Sequence, residues 1–255
     1  MNASRKSSAH WAPASGATHP TPICSGDPTL PQTDFPTNRP LTIALSKGRI
    51  LDDTLPLLQS AGLMPQEDLH KTRKLMVDAD GGAVRFLLIR AADVATYVEH
   101  GAADMGIVGR DLLLEHKPHV LQPLDLRIGC CRLCVAGPRE LIEKGAPAAG
   151  SRIRVATKYD HLTAQYYLAR GVHAEIIHLY GSMELAPLVG MADRIVDLVE
   201  TGSTLKANNL IEETTLYEIS SRLVINPASM ATRSTQIQPI IDAMAAAVDQ
   251  AGRQT

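Results

Sequence analysis

Residues 194–210 read RIVDLVETGSTLKANNL, an apolar strand-like run that passes through a polar turn into the start of a helix. Asp197 lies inside the strand-like run, and the turn contains Gly202 between hydroxyl-bearing residues. A strand that leads through a glycine-containing turn into a helix is a building unit of α/β proteins. The segment therefore predicts an α/β fold with a ligand site at the end of this strand.

Strand-like and helix-like runs alternate elsewhere in the chain, as an α/β fold requires. The first set begins with LTIAL at residues 41–45 and continues with leucines at helical spacing. Pro56 lies among those leucines, so the first helix either begins near Asp52 or bends there.

A second set begins with RIRVAT at residues 152–157, and Asp160 stands where the next helix needs a cap. Two sets predict two lobes. A closing amphipathic helix is predicted by Ile237, Ile241, Met244 and Val248.

The composition is typical of a globular protein, with 255 residues, 45% apolar residues and a net charge of −2. This charge gives no net attraction to nucleic acid or acidic lipid, so we expect neither as a partner. Neither a membrane helix nor a secretory signal is recognisable, and we therefore expect a cytoplasmic protein. The cysteines include one CxxC without a second pair or histidines at ligand spacing, which favours reduced cysteines in a strand over metal ligands.

Residues 1–39 contain six of the sixteen prolines and few large apolar side chains. Such a segment cannot offset the entropy lost on ordering, so we expect a disordered tail. A shortage of acidic residues is shared with organelle transit peptides, but an amphipathic arginine pattern is missing. The tail is therefore not interpreted as a targeting segment.

The turn at residues 201–204 favours a phosphate, although the chain contains neither GxxxxGK[ST] nor GxGxxG. Backbone N–H groups at a helix N-terminus point outward, Gly202 permits close approach, and three hydroxyl groups can donate hydrogen bonds. The Asp197 carboxylate would repel a bare phosphate but accepts hydrogen bonds from vicinal sugar hydroxyls. The pattern therefore suggests a ribose phosphate. On the turn alone, a hydroxyl-rich helix cap beside a strand-end acid explains it equally well.

A longer stretch, ELAPLVGMADRIVDLVETGSTL at residues 184–205, resembles the signature of the ATP phosphoribosyltransferases, the family that opens histidine biosynthesis. In that signature Glu is followed after five residues by Gly, then a small residue, Ile or Val, Asp, an aliphatic residue and Ser/Thr-Gly-x-Thr-Leu. All specified positions are met, by Glu184, Gly190, Ala192, Ile195, Asp197, Leu198, Thr201, Gly202, Thr204 and Leu205. The resemblance extends over residues 41–250 and includes LSKGRI at residues 45–50.

The resemblance implies transfer of a phosphoribosyl group from phosphoribosyl pyrophosphate to a ring nitrogen of the adenine of ATP, with release of pyrophosphate. It implies Mg2+ bound to the substrate's phosphates as the cofactor, with no metal site on the protein. Departure of pyrophosphate develops positive charge on the anomeric carbon and negative charge on the leaving oxygens, so we expect positioning and charge stabilisation rather than a covalent nucleophile. Arg49 and Arg73 are the expected catalytic residues, although some relatives lack the first of these arginines.

Nine further residues are expected to bind substrate, namely Lys47, Gly48, Asp93, Glu184, Asp197, Thr201, Gly202, Ser203 and Thr204. Among them, Glu184 and Asp197 should face the ribose hydroxyls, and the turn should hold the 5′-phosphate. Two assignments stay open: Lys47 is either a phosphate contact or a solvated charge, and Asp93 is either a ligand contact or a helix N-cap.

In the family that the sequence resembles, the fold is α/β and bilobal, similar to a periplasmic binding protein, with the substrate cleft between two α/β lobes. We expect the first lobe at residues 40–128 plus 217–255 and the inserted second lobe at residues 129–216. The length is similar to that of the short form, which lacks a C-terminal regulatory domain. That form implies a histidyl-tRNA-synthetase-like regulatory subunit as partner, with a homodimer of this chain inside the hetero-oligomer.

Two other functions remain open from the residues alone. A non-catalytic bilobal binding module shares the architecture without turnover, although no DNA-binding helical motif precedes residue 41. A phosphoribosyltransferase for another base would use the same turn and the same acid. The signature favours ATP as the acceptor over both alternatives.

Overall fold

The structure, a computed structural model, describes residues 39–253 of the chain. The predicted disordered tail lies outside the described residues, apart from Arg39. Within the described range, no helix is both long enough and apolar enough to cross a membrane.

Residues 39–253 contain eleven strands and eight α-helices, which alternate over much of the chain. The strands are β1 Leu41–Ser46, β2 Met76–Ala79, β3 Val84–Ile89, β4 Met105–Gly109, β5 Leu121–Asp125, β6 Cys131–Pro138, β7 Arg152–Thr157, β8 His173–His178, β9 Arg194–Val199, β10 Leu210–Ile219 and β11 Ser221–Ile225. The helices are α1 Arg49–Ser60, α2 Ala91–Glu99, α3 Arg110–His116, α4 Arg139–Ile142, α5 Asp160–Leu168, α6 Leu185–Leu188, α7 Ser203–Ala207 and α8 Pro227–Ala251.

The first sheet has the strand order β2-β3-β1-β4-β11-β5. Strand β1 pairs in parallel with β3 and β4, and the remaining pairs are antiparallel. Every residue of β1 is buried, as expected for a central strand that is covered on both faces. One face packs against α1 and α8, and the four apolar residues that predicted the closing helix are buried there, namely Ile237, Ile241, Met244 and Val248. The closing helix is confirmed.

The second sheet has the strand order β10-β6-β9-β7-β8. Strand β9 lies in its centre, parallel to β7 and antiparallel to β6. The predicted strand RIRVAT is β7 itself, and β9 followed by α7 is the strand, turn and helix read from residues 194–210. Strands of this sheet extend to Ile219, beyond the expected lobe boundary at 216. The division of the chain into lobes stays a prediction.

Two details of the helix predictions differ from the structure. Helix α1 begins at Arg49 rather than near Asp52, and Pro56 lies within it. Asp160 is not the cap of α5, because it is the first helical residue and its carboxylate contacts the His178 ring at 2.9 Å. The first N–H groups of α5 instead donate to the buried carboxylate of Glu115 on α3, at 2.7 and 3.0 Å. The cap comes from a distant residue, which a local pattern cannot reveal.

A fully buried carboxylate, Asp104, connects the start of the described chain with the closing helix. Arg39 donates two hydrogen bonds to it at 2.7 and 3.0 Å, and Arg233 of α8 donates one at 3.0 Å. The backbone N–H of Thr42 and the hydroxyl of Ser229 complete the set at 2.9 and 2.6 Å. Because a buried charge is costly unless it is paired, this network fixes the position of α8 relative to β1.

Candidate active site

The turn between β9 and α7 has the geometry that the sequence pattern predicts. Gly202 adopts a positive φ of 74° and is the N-cap of α7. Thr201 Oγ1 donates to Ser203 Oγ at 3.0 Å and accepts from the Ser203 N–H at 3.3 Å. A Cβ added at Gly202 would meet Glu212 Oε1 at 3.5 Å, an ordinary contact. Glycine is therefore favoured here by the backbone conformation rather than by crowding within the protein.

A guanidinium from the neighbouring strand supports this turn. Arg132 on β6 donates to the carbonyl of Glu200 at 3.3 Å and to the carboxylate of Glu212 on β10 at 2.8 Å. The two bonds fix the residue that precedes the turn to two strands of the second sheet. The backbone of the turn is thus held in place before any ligand binds.

A cavity of about 280 Å3 opens beside this turn. Seven of the eleven predicted site residues line it, namely Arg49, Glu184, Asp197, Thr201, Gly202, Ser203 and Thr204. Its wall is completed by apolar residues of β9 and by two cysteines of β6. The structure therefore brings acids, hydroxyls and a guanidinium from distant parts of the chain to one concave site.

The acid of the strand, Asp197, is the most buried titratable group of the predicted ribose site. Its Oδ1 accepts a hydrogen bond from the backbone N–H of Leu198 at 2.8 Å, and the ammonium of Lys158 lies 3.8 Å from the same oxygen. Burial raises the pKa of Asp197, and the nearby Glu184 carboxylate acts in the same direction. Two acids that face one cavity are suited to accept hydrogen bonds from the hydroxyls of a sugar.

Arg49 connects the two sheets across the cavity. It is the first residue of α1, at the end of the first sheet, and its guanidinium forms an ion pair with Glu200 at the end of β9. Both side chains are at least half exposed, at 60% and 50%. The cation is thus placed beside the turn, with the carboxylate of Glu200 as its partner.

Four predicted site residues do not line this cavity: Lys47, Gly48, Arg73 and Asp93. Lys47 donates to the carbonyl of Thr72 at 2.6 Å, so it lies against the loop that carries the exposed Arg73. Gly48 is the N-cap of α1, and Asp93 is exposed in the first turn of α2. Because the N-cap of α2 is Arg90, the capping alternative for Asp93 is wrong. The substrate roles of these four residues stay predictions.

The cysteines of the CxxC motif lie at the start of β6, and Cys24 lies outside the described residues. Cys130 precedes the strand, whereas Cys131 and Cys134 belong to it and also line the cavity. Burial raises the pKa of the Cys131 thiol to about 11. Among residues 39–253, no group of three or more His, Cys, Asp or Glu side chains is arranged to hold a metal ion.

The sequence interpretation missed Lys158, Glu200 and Arg132 as neighbours of the site. Glu200 was visible beside the turn, but its partner Arg49 is 151 positions away in the chain. Lys158 directly follows β7, and the strand order that places β7 next to β9 was not predicted. The one available signal was that polar residues just after parallel strands of a sheet share one edge.

The ATP phosphoribosyltransferase family profile, named HisG, matches residues 90–246, which is more than half of the chain. The chain belongs to the ATP phosphoribosyltransferase family. An ATP phosphoribosyltransferase from Methylibium petroleiphilum is 54% identical over 211 residues, covering 82% of this chain and 99% of that relative. Members of the ATP phosphoribosyltransferase family are pentosyltransferases of the first step of histidine biosynthesis, and this chain is an enzyme of that class.

Similar solved structures support both the assignment to the ATP phosphoribosyltransferase family and the predicted fold. A chain of the ATP phosphoribosyl transferase (HisG:HisZ) complex from Thermotoga maritima is similar with a TM-score of 0.71 at 32% identity, over 82% of this chain and 99% of that chain. A histidine kinase sensor domain with similarity to periplasmic binding proteins has a TM-score of 0.50 at 11% identity, over 84% of this chain and 92% of that chain. The latter shares the fold alone. The α/β, periplasmic-binding-protein-like fold is confirmed.

Proposed function

We propose that the cavity beside the β9–α7 turn is the site where this chain joins phosphoribosyl pyrophosphate to ATP. The reaction breaks the bond between the anomeric carbon and the pyrophosphate oxygen, and a bond from a ring nitrogen of adenine to that carbon forms. The products are N1-(5-phosphoribosyl)-ATP and pyrophosphate. The observation that carries this proposal is the meeting of the hydroxyl-rich turn, two acids and Arg49 around one cavity.

Each group has a role that follows from its chemistry. The outward N–H groups and hydroxyls of residues 201–204 hold the 5′-phosphate. Glu184 and Asp197 accept hydrogen bonds from the ribose hydroxyls, and their negative charge favours the positive charge that develops on the anomeric carbon. Arg49 stabilises the departing pyrophosphate, for which it must exchange Glu200 for substrate oxygens. Arg73 is assigned to the same leaving group from the adjacent loop.

Magnesium is assigned to the phosphates of the substrate rather than to a protein site. Mg2+ dehydrates reluctantly and binds in such enzymes through phosphate oxygens, waters and at most one or two carboxylates. The carboxylates that line the cavity belong to Glu184, Asp197 and Glu200, and Glu200 is already paired with Arg49. Calorimetry with magnesium alone should therefore detect no binding, whereas addition of phosphoribosyl pyrophosphate should make binding magnesium-dependent. Tight binding of magnesium to the free protein would contradict this assignment.

The chain is proposed to act as the catalytic subunit of a hetero-oligomer. Its support is the match to 99% of a chain from a HisG:HisZ complex. The proposed partner is a regulatory subunit that resembles histidyl-tRNA synthetase, bound to a homodimer of this chain. A cytoplasmic location belongs to the same proposal, because highly charged substrates do not cross membranes unaided. Copurification with the partner, followed by mass measurement of the intact complex, tests the assembly.

The activity is tested by incubation of the purified chain with phosphoribosyl pyrophosphate, magnesium and ATP, with and without the partner. We expect the absorbance of the adduct to increase, with one pyrophosphate released for each adduct formed. Replacement of ATP by other purine nucleotides examines the choice of acceptor. Absence of the adduct under both conditions would refute the function, and adduct formation with a different base alone would change the acceptor.

The turn is tested by Gly202→Val, which we expect to weaken binding of phosphoribosyl pyrophosphate by at least about tenfold, the loss of roughly 1.4 kcal/mol of phosphate contacts. The substitution also strains a backbone with positive φ. Gly145→Val is the matched control, because Gly145 has a φ of 98° and nothing within 4 Å of an added Cβ. Equal affinities of both variants for the substrate, measured by calorimetry, would contradict the role of the turn.

A further inference from the structure

Lys158 presents an ammonium group to Asp197, the partly buried acid of the cavity. Its Nζ lies 3.8 Å from Oδ1 of Asp197, and the two side chains are 36% and 23% exposed. We propose that Lys158 is a positioning residue of the ribose site, which keeps Asp197 in the ionised form that accepts hydrogen bonds from the sugar hydroxyls. This inference rests on the proposed contact between Asp197 and ribose.

The register of two parallel strands explains why these residues meet. Thr157 of β7 is paired with Val196 of β9, so the residues that follow them in the chain, Lys158 and Asp197, stand side by side. The Thr157 hydroxyl donates to the Val196 carbonyl at 2.7 Å, which fixes this register at the end of β7. The position of the lysine is therefore a consequence of strand pairing rather than of a mobile loop.

The residue after the lysine, Tyr159, is anchored to helix α3. Tyr159 is fully buried, and its hydroxyl donates to Oδ2 of Asp111 on α3 at 2.7 Å. Its backbone N–H donates to the Thr157 hydroxyl at 2.9 Å. The ammonium of Lys158 lies 5.0 Å from the centroid of the Tyr159 ring, within the range of a cation–π contact. Lys158 is thus held between a fixed aromatic ring and the carboxylate.

The surroundings of Asp197 otherwise disfavour its ionised form. Burial raises its pKa, and the carboxylates of Glu184 and Asp111 raise it further. The phenol of Tyr159 also faces Asp197, as does the thiol of Cys134, which is paired with Asp197 across the β6–β9 ladder. Neither group carries a compensating positive charge. The Lys158 ammonium and the backbone N–H of Leu198 lower the pKa. Lys158 supplies the positive charge in this set.

The protonation state matters because it changes what Asp197 can offer a sugar. A carboxylate is an acceptor at both oxygens, whereas a protonated acid turns one oxygen into a donor. Oδ1 already accepts the hydrogen bond of Leu198, which makes Oδ2 the more open acceptor for a hydroxyl. Protonation at Oδ2 would weaken this contact in proportion to the protonated fraction.

The test measures the dissociation constant of magnesium phosphoribosyl pyrophosphate by calorimetry from about pH 8 down to the lowest pH at which the protein stays folded, because a raised pKa makes protonation of Asp197 easier to reach as the pH falls. The variants are Lys158→Gln, which removes the charge, and Lys158→Arg, which keeps it. Without the ammonium the pKa of Asp197 rises, so the dissociation constant of Lys158→Gln divided by that of wild type must increase as the pH falls. Between the Asp197 pKa of wild type and that of the variant, this ratio increases by up to about tenfold per pH unit. Ionisation of the substrate cancels in this ratio.

The Asp197→Asn background separates the inference from the proposed function. Asp197→Asn alone should weaken binding, and in that background Lys158→Gln should have an effect that does not depend on pH. Normal binding by Asp197→Asn would remove the ribose contact itself. If that contact stands, the inference is overturned by a pH-independent ratio, by failure of Lys158→Arg to restore the profile, or by a pH-dependent effect that persists with Asn at position 197. If Lys158→Gln does not fold, Lys158→Met replaces it, since its apolar stem can still cover the Tyr159 ring.

Discussion

The Glu200→Gln substitution removes the carboxylate that is paired with Arg49. If the guanidinium of Arg49 binds the pyrophosphate of the substrate, the ion pair with Glu200 must first break. The free energy of this ion pair then opposes substrate binding. Both side chains are at least half exposed, and such pairs contribute only about 0.2–1 kcal/mol. Release of this energy predicts a dissociation constant for phosphoribosyl pyrophosphate that is about 1.5- to 5-fold lower than in wild type. Removal of a negative charge beside a polyanion acts in the same direction.

Calorimetric titration with magnesium phosphoribosyl pyrophosphate at low ionic strength is the assay, because screening by salt reduces such effects. The matched control is Glu143→Gln, which makes the same change of charge in a pair with Arg139 of similar exposure, 58% and 61%. Its carboxylate does not line the cavity, so its affinity should equal that of wild type. Weaker binding by Glu200→Gln would show that Glu200 positions Arg49 for substrate and would refute the exchange of partners.

Three further outcomes follow from the structure. Arg49→Ala should slow the chemical step by about 100-fold in single-turnover kinetics and weaken substrate binding less, because its charge acts on the leaving group; a normal chemical rate would exclude this role. Asp104→Ala should lower the free energy of unfolding by roughly 3–5 kcal/mol in urea titrations, since it leaves buried donors unpaired. As a control, Asp242→Ala changes an exposed carboxylate of α8 outside this network and should alter that energy by less than about 0.5 kcal/mol; equal losses would contradict the importance of the buried site. Alkylation of Cys131 should accelerate about tenfold per pH unit up to its pKa of about 11, and at pH 8 it should lag behind the exposed Cys130 in fragment mass spectra; comparable rates at pH 8 would contradict the burial of the Cys131 thiol.

The strand, turn and helix start around Gly202 could be predicted because their pattern is local. Asp197 and residues 201–204 lie within one strand, one turn and one helix start, and each residue type has a reason in that geometry. Glu184 and Arg49 required the resemblance to a family, since neither spacing nor composition links them to the turn. Lys158 was missed because its place depends on which strands are neighbours in the sheet. Pairing of distant strands is decided by the whole core and leaves no local trace.

In the fold, too, features with local causes could be predicted and features with distant causes could not. Alternating apolar runs predicted β1, β7 and the closing helix, because burial of one face imposes a period on the sequence. The cap of α5 was assigned to Asp160, whereas the structure uses Glu115 from α3. The ion pairs that fix Asp104 likewise join residues more than 60 positions apart. Contacts of this kind become visible only when the chain is folded.

In the proposed arrangement, the β9–α7 turn holds the 5′-phosphate while Glu184 and Asp197 hold the ribose. A crystal structure of the chain with magnesium phosphoribosyl pyrophosphate would show both contacts. We predict phosphate oxygens within about 3 Å of backbone N–H groups of residues 201–205, and ribose hydroxyls within about 3 Å of both carboxylates. A 5′-phosphate bound elsewhere, with this turn facing only solvent, would contradict the account.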